Sequence, residues 1–204
     1  MNADDYVFRR IEAEPGAPLL VLLHATGGDE GQLLALGSQA MPGATLVSPR
    51  GDVFEHGAAR FFRRTGEGVY DMDDLARATA KMARFVEAQA DQLAPSALYG
   101  LGYSNGANIL ATTMFARPGL FDAVVLMHPL IPFEPVIDGD LSGKRVLITA
   151  GRRDPICPPE LTARLESWLR AKGTDVTLAW HDGGHEVRPS EIDGARAFLA
   201  AEGA

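Results

Sequence analysis

Cysteine is almost absent from this chain, because Cys157 is the single one among 204 residues. One cysteine cannot form an internal disulfide, so the sequence excludes a disulfide-stapled scaffold. We interpret Cys157 as a buried thiol, since nothing basic flanks it in sequence. No group of Cys and His residues has the spacing of metal ligands either, and we expect neither a metal centre nor a cofactor.

Long apolar runs and an excess of positive charge are also missing. No apolar run reaches the ~20 residues that cross a bilayer, and the acidic residues 1–5 lack the basic and apolar regions of a secretory signal. We therefore expect no membrane span and a cytoplasmic location. The formal net charge of -8 argues against nucleic acid as the main partner, because phosphate binding favours basic patches.

The overall composition is that of an ordinary soluble domain. Hydrophobic residues make up 46% of the chain and charged residues 23%. A chain of 204 residues is long enough to bury a sizeable core. We expect one domain spanning residues 1–204.

Short apolar runs alternate with helical patterns along the chain. After an edge strand at 6–11, strands are predicted at 19–24, 45–48, 97–101, 122–127, 145–150 and 175–180. Helices are predicted at 32–39, 71–92, 107–116, 158–171 and 191–201, the last with a capping box from Ser190 and Asp193. The alternation predicts an α/β fold with a mostly parallel sheet covered on both faces, in which ligands bind beyond the carboxyl ends of the strands.

The pattern Gly-x-Ser-x-Gly occurs at Gly102, Ser104 and Gly106. A predicted strand precedes it and a predicted helix follows it, which is the context of a nucleophile elbow. In such a turn the serine is held in a strained conformation that exposes its hydroxyl above the sheet, and side chains at the glycine positions would clash. The pattern therefore predicts Ser104 as a nucleophile.

A serine hydroxyl needs a base, usually a histidine that an acid holds in the right tautomer. Of the five histidines, His181 and His185 fall in the last strand-to-helix loop, and two glycines precede His185. We predict His185 as the base and His181 as structural. Asp154 directly follows the strand at 145–150 and is the predicted acid, with Asp138 and Asp140 as rivals in a Pro- and Gly-rich loop. The order Ser, Asp, His is the one found in α/β-hydrolase sites.

Acyl transfer also needs donors for the developing oxyanion. We expect one to be the backbone N–H of Asn105, the residue after the nucleophile. The other is expected from the loop after the strand at 19–24, at Thr26 or, as an alternative, Ala25. His24 is interpreted as bracing that loop rather than as a catalyst.

These motifs resemble those of the α/β-hydrolase superfamily, and within it the small phospholipase/carboxylesterase family that includes acyl-protein thioesterases. The resemblance covers nearly the whole chain and is carried by 23–29, 48–51, 102–107, 151–155 and 183–185. It implies Ser104, Asp154 and His185 as the triad, with Thr26 and Asn105 supplying the oxyanion hole. The thioesterases have glutamine at the position of Asn105, which weakens a thioesterase assignment.

A second set of residues indicates the substrate. The segment 128–141 is too short for a lid domain, so an open site for small or medium acyl groups is expected. Apolar residues predicted to line it are Phe61, Phe62, Met127, Leu130 and Ile131, with Tyr70 and Phe133 as further candidates. Arg63 and Arg64 were weighed as contacts for an acidic substrate group, but solvated surface arginines are the interpretation we favour.

The sequence therefore predicts a serine hydrolase that cleaves carboxylic esters of small to medium acyl or aromatic substrates through an acyl-enzyme intermediate. The alternatives keep the same triad and act on a thioester, lysophospholipid, lactone or peroxyacid. A ligand-sensing scaffold without turnover is a third hypothesis, which a complete triad disfavours. The resemblance implies a monomer or homodimer.

Overall fold

A computed structural model of the protein describes residues 6–66, 68–137 and 139–201. Residues 1–5, which entered the expectation about a secretory signal, lie outside the described residues. So does Asp138, one of the rivals for the catalytic acid.

The strands follow the apolar runs of the sequence. In the described ranges they are β1 (Phe8–Ile11), β2 (Leu19–Leu23), β3 (Thr45–Pro49), β4 (Val53–Glu55), β5 (Ala58–Arg60), β6 (Arg64–Gly66), β7 (Val69–Tyr70), β8 (Leu98–Tyr103), β9 (Ala123–Met127), β10 (Arg145–Gly151) and β11 (Asp175–His181). The helices are α1 (Leu34–Ala40), α2 (Met72–Leu93), α3 (Asn105–Ala116), α4 (Pro159–Ala171) and α5 (Pro189–Ala200).

Seven of these strands form the central sheet of the described chain, in the order β1-β3-β2-β8-β9-β10-β11. β1 pairs antiparallel with β3, and the other neighbours pair parallel. Every residue of β2, β3 and β9 is buried, as expected for strands covered on both faces. The predicted mostly parallel sheet is confirmed.

Two apolar clusters cover the two faces of the sheet. One packs α2, α3 and α4 against it and includes Met82, Ile109 and Leu165. The other packs the region of α1 together with α5 and includes Ala40 and Leu199. Because the intervening strands run parallel, the loops after β2, β8, β9, β10 and β11 meet at one edge, the carboxyl edge of the sheet.

The structure differs from the sequence prediction in two places. The segment predicted to be irregular after β3 contains two short antiparallel hairpins, β4–β5 and β6–β7. The last helix begins at Pro189, so Ser190 lies inside it and the predicted capping box from Ser190 and Asp193 is wrong. Glu191 provides the cap instead, because its Oε2 accepts a hydrogen bond of 2.6 Å from the Arg188 backbone N–H.

None of the helices in the described residues combines the length and apolar character that crossing a bilayer requires.

Candidate active site

Ser104 occupies a sharp turn between β8 and α3. Its φ and ψ of 53° and -115° lie outside the regions that most residues adopt, which costs about 1–3 kcal/mol. A Cβ at Gly102 would clash with the carbonyl of Gly106, and a Cβ at Gly106 would clash with the carbonyl of Leu23. The two glycines therefore permit the close approach of β2, β8 and α3 that holds the strained serine in place.

The side chains of Ser104, His185 and Asp154 lie in one hydrogen-bonded chain. The Ser104 Oγ is 2.9 Å from His185 Nε2, and His185 Nδ1 is 2.7 Å from Asp154 Oδ2. Because a carboxylate only accepts hydrogen bonds, the ring proton is on Nδ1, which donates a hydrogen bond to Asp154. Nε2 is then the acceptor for the serine hydroxyl, which is the arrangement of a base beside a nucleophile.

Asp154 is buried and surrounded by donors. Its Oδ1 accepts from the backbone N–H groups of Ile156 and Cys157, at 2.8 and 2.9 Å, and its Oδ2 accepts from His185 and His128. Burial alone raises the pKa of this carboxyl. The hydrogen bonds from Cys157, the two imidazoles and Ile156 outweigh burial and hold the pKa below its ordinary value, so Asp154 stays a carboxylate.

The loops that carry the acid and the base are joined through their backbones. Beyond the end of β10, the N–H of Arg152 donates to His181 O and the N–H of Arg153 donates to Gly183 O, both at 2.9 Å. A Cβ at Gly151 would clash with the carbonyl of Gly184. Parallel pairing of β10 and β11 thus continues into the loops that place Asp154 and His185.

Thr26 and Asn105 lie beside the serine, lining the same cavity. Within the described ranges, no acceptor is found for the backbone N–H of either residue. The Asn105 N–H is one of the free donors of the first turn of α3, where the helix dipole favours negative charge. Both groups have the chemistry that an oxyanion hole requires.

Two side chains brace the Thr26 loop. Arg60 Nη1 donates to Thr26 Oγ1 at 2.7 Å. The Nε2 of His24 accepts from the Gly51 N–H at 2.9 Å, so its proton is on Nδ1, which lies 2.6 Å from Ala25 O. Burial lowers the pKa of His24, consistent with a neutral ring in this bracing position.

The cavity beside Ser104 is small, at ≈ 50 Å³. Its lining residues are Thr26, Arg60, Arg64, Gly68, Tyr70, Ser104, Asn105, Asn108, Leu130, Ile156 and Cys157. Of the five residues predicted to bind substrate, Leu130 lines this cavity, and so does the further candidate Tyr70. Tyr70 is fixed by its hydroxyl, which donates to Leu130 O at 2.7 Å and accepts from Asn108 Nδ2 at 2.8 Å.

The other four residues predicted to contact substrate do not line this cavity. Phe61, Phe62 and Met127 are 0% exposed and pack in the two apolar clusters. Ile131 is 2% exposed and contributes to a separate cavity of ≈ 280 Å³ around Phe133 and Trp168. These large apolar side chains are buried in the core. Their burial does not fit the predicted contact with substrate.

Two arginines lie in the wall of the small cavity. Arg60 and Arg64 line it, and both guanidinium groups share Glu55, at 3.4 and 2.9 Å from Nε. Arg63 is exposed, and its backbone N–H donates to Asp74. Of the two arginines weighed from the sequence, Arg64 is therefore the one near Ser104.

Two buried residues that the sequence motifs do not indicate, His128 and Glu191, lie behind Asp154. His128 follows β9, and its Nδ1 and Nε2 lie 2.9 Å from Asp154 Oδ2 and 3.1 Å from Glu191 Oε1. His181 Nε2 lies 3.3 Å from Glu191 Oε2, which gives this histidine the structural role expected of it. The sequence does contain an indication that His128 lies near the site, because it directly follows the buried strand β9 and Asp154 follows the buried strand β10.

His128, His181 and Glu191 also bring ligand atoms within 4.8 Å of one another, a set of types found at metal sites. Their hydrogen bonds fit proton sharing better. The Gly183 N–H donates to His181 Nδ1 at 2.9 Å, which places the ring proton on Nε2, the atom that would have to bind the metal. That N–H group lies 3.3 Å from Glu191 Oε2 and 3.5 Å from His128 Nε2.

Two further sequence assignments can be located. Cys157 is buried, its Sγ lies 3.1 Å from His128 O, and burial raises the pKa of the thiol, as expected for an unreactive cysteine. Asp140 is exposed and accepts hydrogen bonds from the N–H and hydroxyl of Ser142. This rival acid thus caps a surface turn.

Comparisons with known proteins agree with this architecture. The sequence profile of the Dienelactone hydrolase family matches residues 56–187. "Putative hydrolase MhqD" of Bacillus subtilis (strain 168) is 39% identical over 182 residues, which is 88% of this chain and 91% of that protein.

Solved structures resemble the chain over nearly its whole length. The protein Atu2452, of unknown function, from Agrobacterium tumefaciens str. C58 is 58% identical, with a TM-score of 0.90 and 98% of both chains covered. The Bacillus cereus carboxylesterase is 34% identical, with a TM-score of 0.88 and coverage of 97% of this chain and 94% of that one.

These matches confirm the α/β-hydrolase resemblance that the motifs indicated. With the family profile covering more than half of the chain, the chain belongs to the dienelactone hydrolase family and is a hydrolase of the dienelactone hydrolase and carboxylesterase type.

Proposed function

We propose that this protein is a serine hydrolase that cleaves carboxylic esters of small to medium acyl or aromatic substrates through an acyl-enzyme intermediate. Ser104 Oγ attacks the acyl carbonyl carbon while its proton passes to His185 Nε2. The alkoxide leaving group takes that proton as the tetrahedral intermediate collapses. Water then attacks the acyl-enzyme by the same route and releases the acid.

The observation that carries this proposal is the unbroken chain from Ser104 Oγ to His185 at 2.9 Å and from His185 to Asp154 at 2.7 Å. Both distances are within the range for proton transfer and for orienting the base. The backbone N–H groups of Thr26 and Asn105 are the proposed donors to the tetrahedral oxyanion, which forms beside the positive end of α3.

The cavity beside Ser104 supports a short acyl or compact aromatic group. Its volume of ≈ 50 Å³ leaves little room for a long aliphatic chain. Arg60 and Arg64 lie in its wall, where both pair with Glu55.

A lactone is a second candidate substrate, favoured by the match to the Dienelactone hydrolase family. A lactone is a cyclic ester, so the same attack by Ser104 opens the ring, and the alcohol stays attached to the acyl group. Parallel rates on phenyl acetate and on dihydrocoumarin, an aromatic lactone, distinguish the two preferences.

The proposal is tested with Ser104→Ala on p-nitrophenyl acetate. We expect kcat to fall by about 10³-fold or more, because the nucleophile is lost. Ser38→Ala, at an exposed position of α1, is the matched control and should keep the wild-type rate. A fluorophosphonate should add one label to the wild-type protein and to Ser38→Ala but none to Ser104→Ala. Wild-type turnover or labelling in Ser104→Ala would contradict the proposal.

A further inference from the structure

A buried row of charged and titratable side chains continues past the proposed triad to a second carboxylate. From Asp154 it passes through His128 to Glu191 on α5, over distances of 2.9 and 3.1 Å. The His128 side chain is fully buried, and those of Asp154 and Glu191 are 0% and 3% exposed. Water therefore contributes little to the charge balance of these three groups.

Both carboxyl groups have the surroundings of carboxylates. Glu191 Oε1 accepts from Thr149 Oγ1 at 2.6 Å, and Oε2 accepts from the Arg188 N–H at 2.6 Å. The Nε2 atoms of His128 and His181 lie 3.1 and 3.3 Å from the two oxygens of Glu191, at ion-pair distance. Four hydrogen-bond donors face Asp154. These surroundings favour the ionised form of both carboxyl groups.

His128 lies between the two carboxylates, with one ring nitrogen facing each. A neutral imidazole has one N–H, so its other nitrogen would direct a lone pair at a carboxylate oxygen about 3 Å away. A doubly protonated ring is attracted to both carboxylates, which lie 2.9 and 3.1 Å from its two nitrogens. One imidazolium between two carboxylates also halves the buried negative charge, which is otherwise expensive to desolvate.

The position of this charge matters for catalysis. His128 and His185 donate to the same oxygen, Asp154 Oδ2, and their ring centroids are 5.1 Å apart. A cation on His128 therefore opposes a second cation on His185 and takes part of the negative charge of Asp154. The two rings thus influence each other through the carboxylate oxygen that they share.

We propose that His128 is a positioning residue that Asp154 and Glu191 hold as an imidazolium at neutral pH, and that it sets the acid limit of catalysis through Asp154. The inference rests on the proposed function, because it acts on the Ser104, His185 and Asp154 triad. His128 itself is fully buried behind Asp154 and is assigned no contact with substrate.

Other charged or titratable groups around His128 are few in the described chain. His181 Nε2 lies 3.5 Å from His128 Nε2, within hydrogen-bond distance, and 3.3 Å from Glu191 Oε2. The Tyr103 ring on β8 packs edge-on at 5.8 Å, and burial raises its pKa to about 12, so it stays neutral. The Cys157 Sγ contacts the His128 carbonyl, and burial keeps this group in the thiol form.

Burial and hydrogen bonding act on His128 in opposite directions. Burial alone lowers its pKa, but the hydrogen bonds to Glu191 and Asp154 outweigh burial and raise the pKa above the ordinary histidine value. The same contact lowers the pKa of Glu191 against the effect of burial. Both directions agree with the ion pair that the geometry requires.

The test uses Glu191→Gln, which removes a charge without removing hydrogen bonds. The amide oxygen can accept from Arg188 N–H and His181, and the amide NH₂ can donate to a neutral His128 Nε2 and to Thr149. His128 then needs only one N–H, the one on Asp154. Loss of its charge should move the acid limb of the pH profile of kcat/KM to higher pH by ~1 unit, with a plateau within about threefold of the wild type.

Two more variants sharpen the comparison. His128→Asn keeps a neutral donor to Asp154 and suits the positive φ of 50° at this position, so it should move the acid limb in the same direction. Asp193→Asn removes an exposed carboxylate from the same helix and should leave the profile unchanged. Loss of stability alone lowers the plateau without moving the limb.

An NMR measurement reads the charge without relying on activity. In histidine-¹⁵N-labelled wild-type protein at about pH 7.5, both His128 nitrogens should be protonated, and in Glu191→Gln only one. The His128→Asn spectrum assigns the signals.

A neutral His128 in the wild type, or an unmoved acid limb in Glu191→Gln, would overturn the inference while the esterase proposal stands. A wild-type protein with no esterase activity and no fluorophosphonate label would overturn the proposed function and the positioning role with it.

Discussion

Arg60 Nη1 donates a hydrogen bond of 2.7 Å to the hydroxyl oxygen of Thr26. The contact connects the end of β5 to the loop that follows β2, across 34 positions of the sequence. Because Arg60 is 4% exposed, its guanidinium is a fixed anchor rather than a mobile surface charge. The hairpin β4–β5 thus fixes one of the two proposed oxyanion donors.

We expect Arg60→Met and Thr26→Val each to lower kcat by about tenfold on p-nitrophenyl acetate, because a loosened loop places its backbone N–H less well. Combined, the two changes should cost little more than one alone, since both break the same contact. Thr26→Ser retains the acceptor hydroxyl and should lose less activity than Thr26→Val. Fully multiplicative losses in the double variant would show that the two residues act separately.

Gly106 provides a prediction about packing. A Cβ there meets the carbonyl groups of Leu23 and His24, so Gly106→Ala should lower the free energy of unfolding by about 1–3 kcal/mol and also reduce activity by displacing Ser104. Gly194, within α5, has nothing within 4 Å of an added Cβ, and Gly194→Ala should raise the free energy of unfolding by about 0.5–1 kcal/mol. Urea denaturation of both variants measures this; equal effects would refute the close approach.

The charge on His128 predicts how stability depends on pH. Because the pKa of folded His128 is raised, its stabilising contribution is complete below the unfolded value of about 6.5 and is lost as pH rises through the folded value. His128→Asn should therefore lower the free energy of unfolding by about 3 kcal/mol near pH 6, with a smaller deficit at alkaline pH.

The carboxylates do not disturb this comparison. The pKa values of Asp154 and Glu191 are lowered, so their contributions are present above about pH 4.5 and are lost only as pH falls through the folded values. Urea midpoints of wild-type protein and His128→Asn between about pH 6 and pH 10 provide the measurement. A deficit that grows with pH would contradict the charged state.

The sequence was most informative where chemistry coincides with the end of a strand. Ser104 has its flanking glycines, Asp154 follows a buried apolar strand, and His185 lies in the loop after the last strand, so their places at the carboxyl edge could be predicted. The hairpins β4–β5 and β6–β7 could not, because strands of two or three residues are too short to show a periodic pattern.

Side-chain direction was harder to predict than strand position. Phe61 and Phe62 lie in a polar segment, which suggested an exposed substrate surface, yet both are fully buried beneath the site. The role of Glu191 could not be predicted from the sequence, because its partner His128 is distant along the chain and because Ser190 is a preferred residue type for a helix N-cap. Only the folded sheet brings α5 behind Asp154.

The backbone bonds that join the loops after β10 and β11 have a mechanical consequence. These bonds hold the Asp154 and His185 loops to each other, while the β8–α3 turn that carries Ser104 is linked to them through the Tyr103 hydroxyl, which donates to His185 O at 2.7 Å. Warming or mild denaturant should first widen the gap between serine and imidazole and leave the acid–base couple closed. The Ser104 hydroxyl would then lose its reactivity before the protein unfolded, and cooling would restore that reactivity.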